Sequence, residues 1–281
     1  MSSSDPCSIR RMRLALGTFV EISATASDSS DRVEQAVNQA FEEINRVESL
    51  MSFHRAESDI GRINRSRAAI EIHPWTARVI RLALKLSRES DHRFNPTIGG
   101  QLVEQSRLPD PDTDFIRAGQ AEDIEIDGNW IRRRRPVLLT LDGIAKGWAV
   151  DRAIARLRAS GMTDAVVNAG GDWRCFGTAQ AIQLNSETGT TTLGQLANGA
   201  CATSAAGLDP TRFPAQLIAD NQPVRPGQWT VLANQAWLAD ALTKVAAASH
   251  KDDAPERIRR LGGFLLDPAS KHPRGTFEHA G

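Results

Sequence analysis

Leu141-Asp142-Gly143-Ile144-Ala145-Lys146-Gly147-Trp148-Ala149-Val150-Asp151 begins at the end of an apolar run and finishes inside a helix. The run, Val137 to Leu141, reads as a strand, and Asp142-Gly143 breaks it. From about Lys146, the residues Trp148, Ala149, Ala153, Ile154 and Leu157 recur at helical spacing, and Gly161 closes that helix. Ala165-Val166-Val167-Asn168 is then short and apolar, a strand that stops at Gly170-Gly171.

Upstream, residues 13–24 read as a strand interrupted at Gly17, where a bulge or a close backbone approach is expected. Val33, Val37, Ala40, Phe41, Ile44, Val47 and Leu50 recur at three and four, giving a long helix with Ser29, Ser30 or Asp31 as N-cap. A second helix starts near Pro74 and carries Val79, Leu82, Ala83 and Leu86. Residues 101–122 are polar and rich in Asp and Pro, a loop or short insertion. Ile124 to Ile131 reads as a hairpin turning at Asp127-Gly128. Downstream, strands are expected at Ala181–Leu184, Gln228–Ala233 and Phe264–Leu266, with a helix from about Trp237 to Ala248. Neighbouring strands with packed helices, and no regular βαβ alternation, place the chain in the α+β class.

At 281 residues the chain has room for one large or two small domains. Its 41% hydrophobic and 24% charged residues are those of an ordinary globular protein. Lys plus Arg and Asp plus Glu number 34 each, so no net field draws the chain to nucleic acid or to an anionic membrane. The basic run Arg132 to Arg135 is read as a solvated hairpin arm. Cys7, Cys175 and Cys201 lack any CxxC spacing and read as free thiols. No stretch approaches the ~20 apolar residues of a membrane span. The start, Met1 to Ser8, has no apolar segment before its first charges and no lipoprotein cleavage pattern around Cys7, so a cytoplasmic location is expected.

Local signals for a site are ambiguous one at a time. Gly170-Gly171-Asp172 reads equally as a tight turn or as a ligand-facing loop. Lys146 at a helix start is an anion contact or an exposed lysine, and Asp240 is a site acid or an ordinary acid near a helix start. Spacing alone stops at an anion-binding α+β domain.

The order of the motifs goes further. Leu16-Gly17-Thr18-Phe19 is similar to the opening Met-Gly-Thr of ApbE-type flavin transferases. Met51-Ser52-Phe53-His54 and Glu57-Ser58-Asp59-Ile60-Gly61-Arg62-Ile63-Asn64 resemble that family's next stretch, and Phe94-Asn95-Pro96-Thr97-Ile98-Gly99-Gly100 its Phe-Asp-Pro-Thr-Val-Gly-Pro. Leu141 to Asp151 is nearly the family's strand-to-helix signature. Asn168 to Asp172, Ala202-Thr203-Ser204 and Ala239-Asp240-Ala241-Leu242 follow in the family's order. The resemblance covers about residues 13–248 of a single domain, 1–281.

The resemblance implies two interleaved subdomains, each a sheet with helices, with FAD in the cleft between them. It implies an FAD:protein FMN transferase that uses Mg²⁺, moves FMN to a threonine or serine hydroxyl of an acceptor flavoprotein domain, and releases AMP. An FAD-binding protein with a degenerate centre and a hydrolase giving FMN and AMP are the alternatives. Nucleic-acid partners and membrane insertion are not expected. The family's flavin contacts fall on Leu16, His54, Phe94, Asn95, Pro96, Thr140, Lys146, Ile218 and Thr243. Its metal ligands fall on the Gly143 carbonyl, Asp240 and a hydroxyl four residues on, where this chain has Lys244 with Thr243 one residue early. Its His-Ile-Ile-Asp-Pro-Arg-Thr-Gly segment has become Gln216-Leu217-Ile218-Ala219-Asp220-Asn221-Gln222-Pro223, putting Gln216 in the place of the presumed base. Glutamine hydrogen-bonds but does not take up a proton, and a positioned base is worth roughly 10²–10⁴ in rate. Thr243 can complete an ordinary metal site if Lys244 faces solvent; otherwise the Lys244 ammonium replaces the cation.

Overall fold

A computed structural model of the chain describes residues 6–27, 29–186, 189–206, 227–266 and 276–278. It opens with β1 (Cys7–Ala15) and β2 (Thr18–Ala26), an antiparallel pair with Ala15 opposite Thr18. Leu16 and Gly17 join them at φ 56° and 69°, the two positive values of a tight hairpin turn whose twist suits the strands. The reading of residues 13–24 as a strand interrupted at Gly17 by a bulge or a close backbone approach is therefore corrected to two strands joined by a turn. Arg10 to Leu14 are exposed on both faces of this edge strand, so β1 shows little of the apolar alternation that marks a strand.

α1 (Ser30–Met51) follows, with Ser29 as N-cap, its hydroxyl accepting the Arg32 N–H. Val33, Val37, Ala40, Phe41, Ile44 and Val47 are fully buried, and each of these side chains except that of Ala40 is worth roughly 1.5–3 kcal/mol if wholly removed from water. The chain then builds a small subdomain from α2 (Asp59–Arg65), β3 (Ile70–Glu71), α3 (Pro74–Glu89), α4 (Gly99–Glu104), β4 (Ile124–Asp127) and β5 (Trp130–Arg133). Its sheet has the order β3-β5-β4. One further expectation is corrected here. The segment taken as loop from residue 101 starts inside α4. The arginine run is the exposed hairpin arm expected, with Arg132 and Arg134 ion-paired to Glu125 and Arg135 to Asp123. Arg133 is buried, donating to the carbonyls of Val137 (2.8 Å) and Ser66 (2.9 Å).

The chain returns to the first sheet through α5 (Ala145–Ala159), β6 (Asp164–Ala169) and β7 (Asp172–Phe176). It continues with β8 (Gln180–Ser186), β9 (Gly189–Ala197), β10 (Ala200–Ala206), β11 (Gly227–Ala233), α6 (Ala236–Ala247), α7 (Ala254–Arg260), β12 (Gly263–Leu266) and β13 (Thr276–Glu278). The large sheet has seven strands in the order β1-β2-β6-β7-β10-β11-β12, every neighbour antiparallel. Helices α1, α5 and α6 pack side by side across it. On the opposite face, Cys201 and Leu232 alternate out of that core and pack with Ile182 and Leu196 of a second three-stranded sheet, β13-β9-β8. The architecture is α+β, and the small subdomain is spliced between α1 and the return of the chain at α5.

Val137 to Leu141 is not a ladder strand, a third correction. Its contact of strand type is a single bridge from Val137 to Ile116. Asn64 replaces a neighbouring strand instead: its amide donates to the Leu139 carbonyl and its oxygen accepts the Leu139 N–H, both at 2.8 Å. A buried apolar run thus has its backbone satisfied by a side chain, as a chain entering a core requires.

Candidate functional site

Two loops are fastened side by side where the subdomains meet. Thr140 donates its N–H to the Pro96 carbonyl (2.8 Å) and Gly99 donates to the Leu138 carbonyl (3.0 Å). The segment Phe94–Gly100 therefore runs against the entry to the Asp142-Gly143 turn. The Phe94 ring lies 3.1 Å from where a Cβ on Gly143 would stand. Asn95 spends its side chain on the loop itself, donating to the Gly119 carbonyl (3.0 Å) and accepting from the N–H and hydroxyl of Thr97 (2.9 and 2.7 Å). The Thr140 hydroxyl accepts the Asp142 N–H at 3.3 Å.

From that turn α5 leads to α6. A Cβ on Gly147 would sit 2.3 Å from the Ala236 carbonyl oxygen, so only glycine lets the two helices approach this closely. Asp151, one turn on, accepts the N–H groups of Ala236 and Trp237 at 2.9 Å each, the free donors at the start of α6. Arg174 from β7 is its ionic partner at 2.5 Å. These contacts fix Asp240, one turn further along α6, against Gly147, whose N–H lies 3.4 Å from the Asp240 Oδ2.

Four charges gather there. Lys146 Nζ stands 2.7 Å from Asp172 Oδ2, joining α5 to the start of β7. Burial opposes the Lys146 charge, but Asp172 and then Asp240 outweigh it and hold its ammonium above the ordinary lysine value. Burial pushes the Asp172 carboxyl up, and Lys146 is the main force against it. Asp172 Oδ1 has no hydrogen-bond partner among the described residues. Asp142 is crowded by the surrounding loops although its surface reaches solvent. That crowding raises its carboxyl above the ordinary range, Asp240 adds to the rise, and Thr140 and His54 oppose it.

Lys244 completes the group. Its ammonium contacts Asp240 Oδ1 directly and donates to the Asp240 carbonyl at 3.0 Å and towards the Ser204 hydroxyl at 3.4 Å. Its Cε lies 3.6 Å from where a Cβ on Gly143 would stand. Thr243 is buried and turned to the sheet, its hydroxyl donating to the Asp240 carbonyl (2.7 Å) and sharing a hydrogen bond with Ser204 of β10 (2.8 Å). The donors needed for a hard divalent cation are thus not assembled: the carboxylate is taken by an ammonium, and the hydroxyl faces elsewhere. Among the described residues no three His, Cys, Asp or Glu side chains are grouped to hold a metal.

With this geometry in place, the chain matches the ApbE family over residues 16–264. It belongs to the ApbE family. It is 31% identical over 137 residues to the FAD:protein FMN transferase of Rhodobacter capsulatus, a stretch covering 43% of this chain and 26% of that protein. It is 28% identical over 162 residues to the enzyme of the same name from Vibrio cholerae, covering 53% and 47%. The matched stretches span about a quarter to a half of these relatives. Among solved structures, the Pseudomonas stutzeri flavinyl transferase ApbE superposes with TM-score 0.75 at 18% identity, covering 94% of this chain and 93% of that one. The Thermotoga maritima ApbE protein gives 0.75 at 24% identity, covering 92% and 94%. At these identities the likeness is one of fold.

The other sequence-derived ApbE positions fall as follows. Phe94, Asn95, Pro96 and Thr140 line the fastened loops, and Lys146, Asp240, Thr243 and Lys244 meet under them. Leu16 sits at the tip of the first hairpin, half-buried, and the next residue but one, Thr18, lies 2.7 Å from where a Cβ on Gly170 would stand. The Gly170-Gly171 turn therefore serves as a tight hairpin turn, with Ala169 opposite Asp172. His54 is exposed and near enough to Asp142 to act on its charge. Gln216 and Ile218 lie outside the described residues. Sequence reading missed two positioning acids. Asp172 was legible only as the end of a glycine turn, and Asp151 only as the end of a motif. A lysine due for burial and a helix start with Gln235 at its N-cap, in place of Ser, Thr, Asp or Asn, were the signals that partners were needed.

Proposed function

We propose that this ApbE family member binds FAD between the Phe94–Gly100 segment and the Asp142–Lys146 turn, and transfers its FMN half to a threonine or serine hydroxyl of a partner protein. The observation that carries this reading is the pair of lysines, Lys146 and Lys244, each set on a buried carboxylate and each with about a quarter of its side chain, 23%, open to solvent. A pyrophosphate entering the cleft needs its charge met by something fixed, since burial of the bare anion is very costly. Here the cations are in place before the ligand arrives, which is where most electrostatic assistance to phosphoryl-type transfer comes from.

In the transfer, the acceptor oxygen forms a bond to the phosphorus of the FMN half. The bond from that phosphorus to the bridging oxygen breaks, and AMP leaves with the electron pair. The hydroxyl proton has no base at Gln216 and passes to solvent, so transfer is slow. Phe94 packs beside Gly143 at the proposed binding site. Three free cysteines, two of them buried, suit a reducing compartment such as the cytoplasm. No described helix is long and apolar enough to cross a membrane.

The test is incubation with FAD and an acceptor domain carrying a reactive threonine, followed by mass spectrometry of the acceptor and chromatography of the nucleotides. Flavin on the acceptor together with AMP is the expected result. AMP with an unlabelled acceptor makes the protein a hydrolase, and neither product makes it a flavin carrier.

A further inference from the structure

We infer that the Lys244 ammonium stands in the place of a divalent cation, so that this chain meets a pyrophosphate with two fixed lysines and without metal. The inference deepens the FAD reading above and rests on it for the ligand. The geometry is specific. Lys244 reaches Asp240 from four residues along the same helix, and its Cε packs beside Gly143; these are two of the positions that the resemblance assigns to the metal.

An ammonium offers three donors and no acceptor. The carboxylate and the carbonyl of Asp240 take two of them at close range, and the third points at Ser204 from 3.4 Å, a weak contact. That donor is the one a phosphate oxygen can claim. Mg²⁺ asks for near-octahedral oxygens and cannot share Asp240 with a cation already touching it. Thr243 offers no alternative, because its hydroxyl is donated to the Asp240 carbonyl and paired with Ser204. Lys146 on Asp172 supplies the second positive charge from the facing helix.

The experiment has two arms, so that a failure of this inference is distinguishable from a failure of the flavin reading. In the first, the FAD-free protein is titrated with Mn²⁺ and followed by electron paramagnetic resonance. The wild type should show no site with Kd below about 1 mM, and Lys244→Thr should gain one that Asp240→Asn removes. A Mn²⁺ site on the wild type, or none on Lys244→Thr, overturns the inference whether or not FAD binds. In the second arm, calorimetry measures FAD binding with excess EDTA and with excess Mg²⁺. Wild-type affinity should agree within about threefold between the two, whereas Lys244→Thr should lose about tenfold or more on chelation. A tenfold loss in the wild type overturns the inference. Absence of FAD binding in both proteins defeats the flavin reading and leaves the first arm decisive. Should Lys244→Thr fold poorly, the double variant Asp240→Asn, Lys244→Met removes both charges and keeps the shape. It should lose about tenfold or more in FAD affinity with Mg²⁺ making no difference, and an unchanged affinity overturns the inference.

Discussion

The Lys146–Asp172 pair and the Lys244–Asp240 pair look alike, but they are built differently. The first joins two elements, α5 and the start of β7, and among the described residues the Asp172 Oδ1 has no hydrogen-bond partner. The second is local to one helix turn, and its carboxylate has the Gly147 N–H as a further neighbour. A pair that spans the scaffold cannot be exchanged without disturbing the scaffold. A pair confined to one helix face can change its cation while the fold stays as it is. The departure from the family pattern sits in the local pair, and the nearly unchanged motif sits in the spanning one.

The largest effect expected from this contrast is on stability. Lys146→Met leaves Asp172 buried and uncompensated and should cost about 3–5 kcal/mol, while Lys244→Met should fall at the lower end of that range. Urea denaturation of both variants checks the order, and a costlier Lys244→Met breaks the comparison. Next comes the rate. If charge placement is already sufficient and only proton removal is missing, Gln216→His should speed acceptor labelling about 10²-fold in single-turnover assays. A variant slower than the wild type assigns the base elsewhere.

Smaller again is the effect of the shared support. Gly147→Ala pushes a methyl into the Ala236 carbonyl and should cost about 1–3 kcal/mol by urea denaturation. It should also weaken FAD binding more than Glu43→Gln does, since Glu43 lies outside the cleft. Glu43 provides the smallest effect, and one of known sign. Burial alone would raise its carboxyl, but hydrogen bonds from Arg152 and Arg156 outweigh that and hold it below the ordinary glutamate value. Its contribution to stability is therefore complete above the unfolded pKa of about 4.3 and is lost as pH falls through the lower folded value. Thermal melts between neutral and acid pH should show a flatter acid limb for Glu43→Gln, with both lysine pairs untouched.

The helices were legible because burial is one-sided and long. The apolar stripes of α1 and α3 and the run from Trp148 to Leu157 repeat often enough to exclude a strand. The strands of small residues were not. Ala200 to Ala206 contains only Ala, Cys, Thr and Ser, yet it lies buried between β7 and β11, and nothing in its own composition favours a strand. Val137 to Leu141 was misread for the opposite reason, since its strand-like composition serves a segment whose partner is the Asn64 side chain. In the candidate site, Lys146, Asp240 and Lys244 were singled out by motif order. Their partners were not, because Asp172 and Ser204 meet them only through the pairing of β6, β7 and β10.

Both lysine pairs are read here as the floor of a flavin dinucleotide site, and ligand preference tests that claim most directly. Quenching of flavin fluorescence should be titrated with FAD, FMN and riboflavin, using the wild type and Lys146→Ala. FAD should bind the wild type at least about tenfold more tightly than either smaller flavin, and Lys146→Ala should lose most of that preference. No FAD affinity below about 1 mM, or equal affinity for riboflavin, would contradict the account.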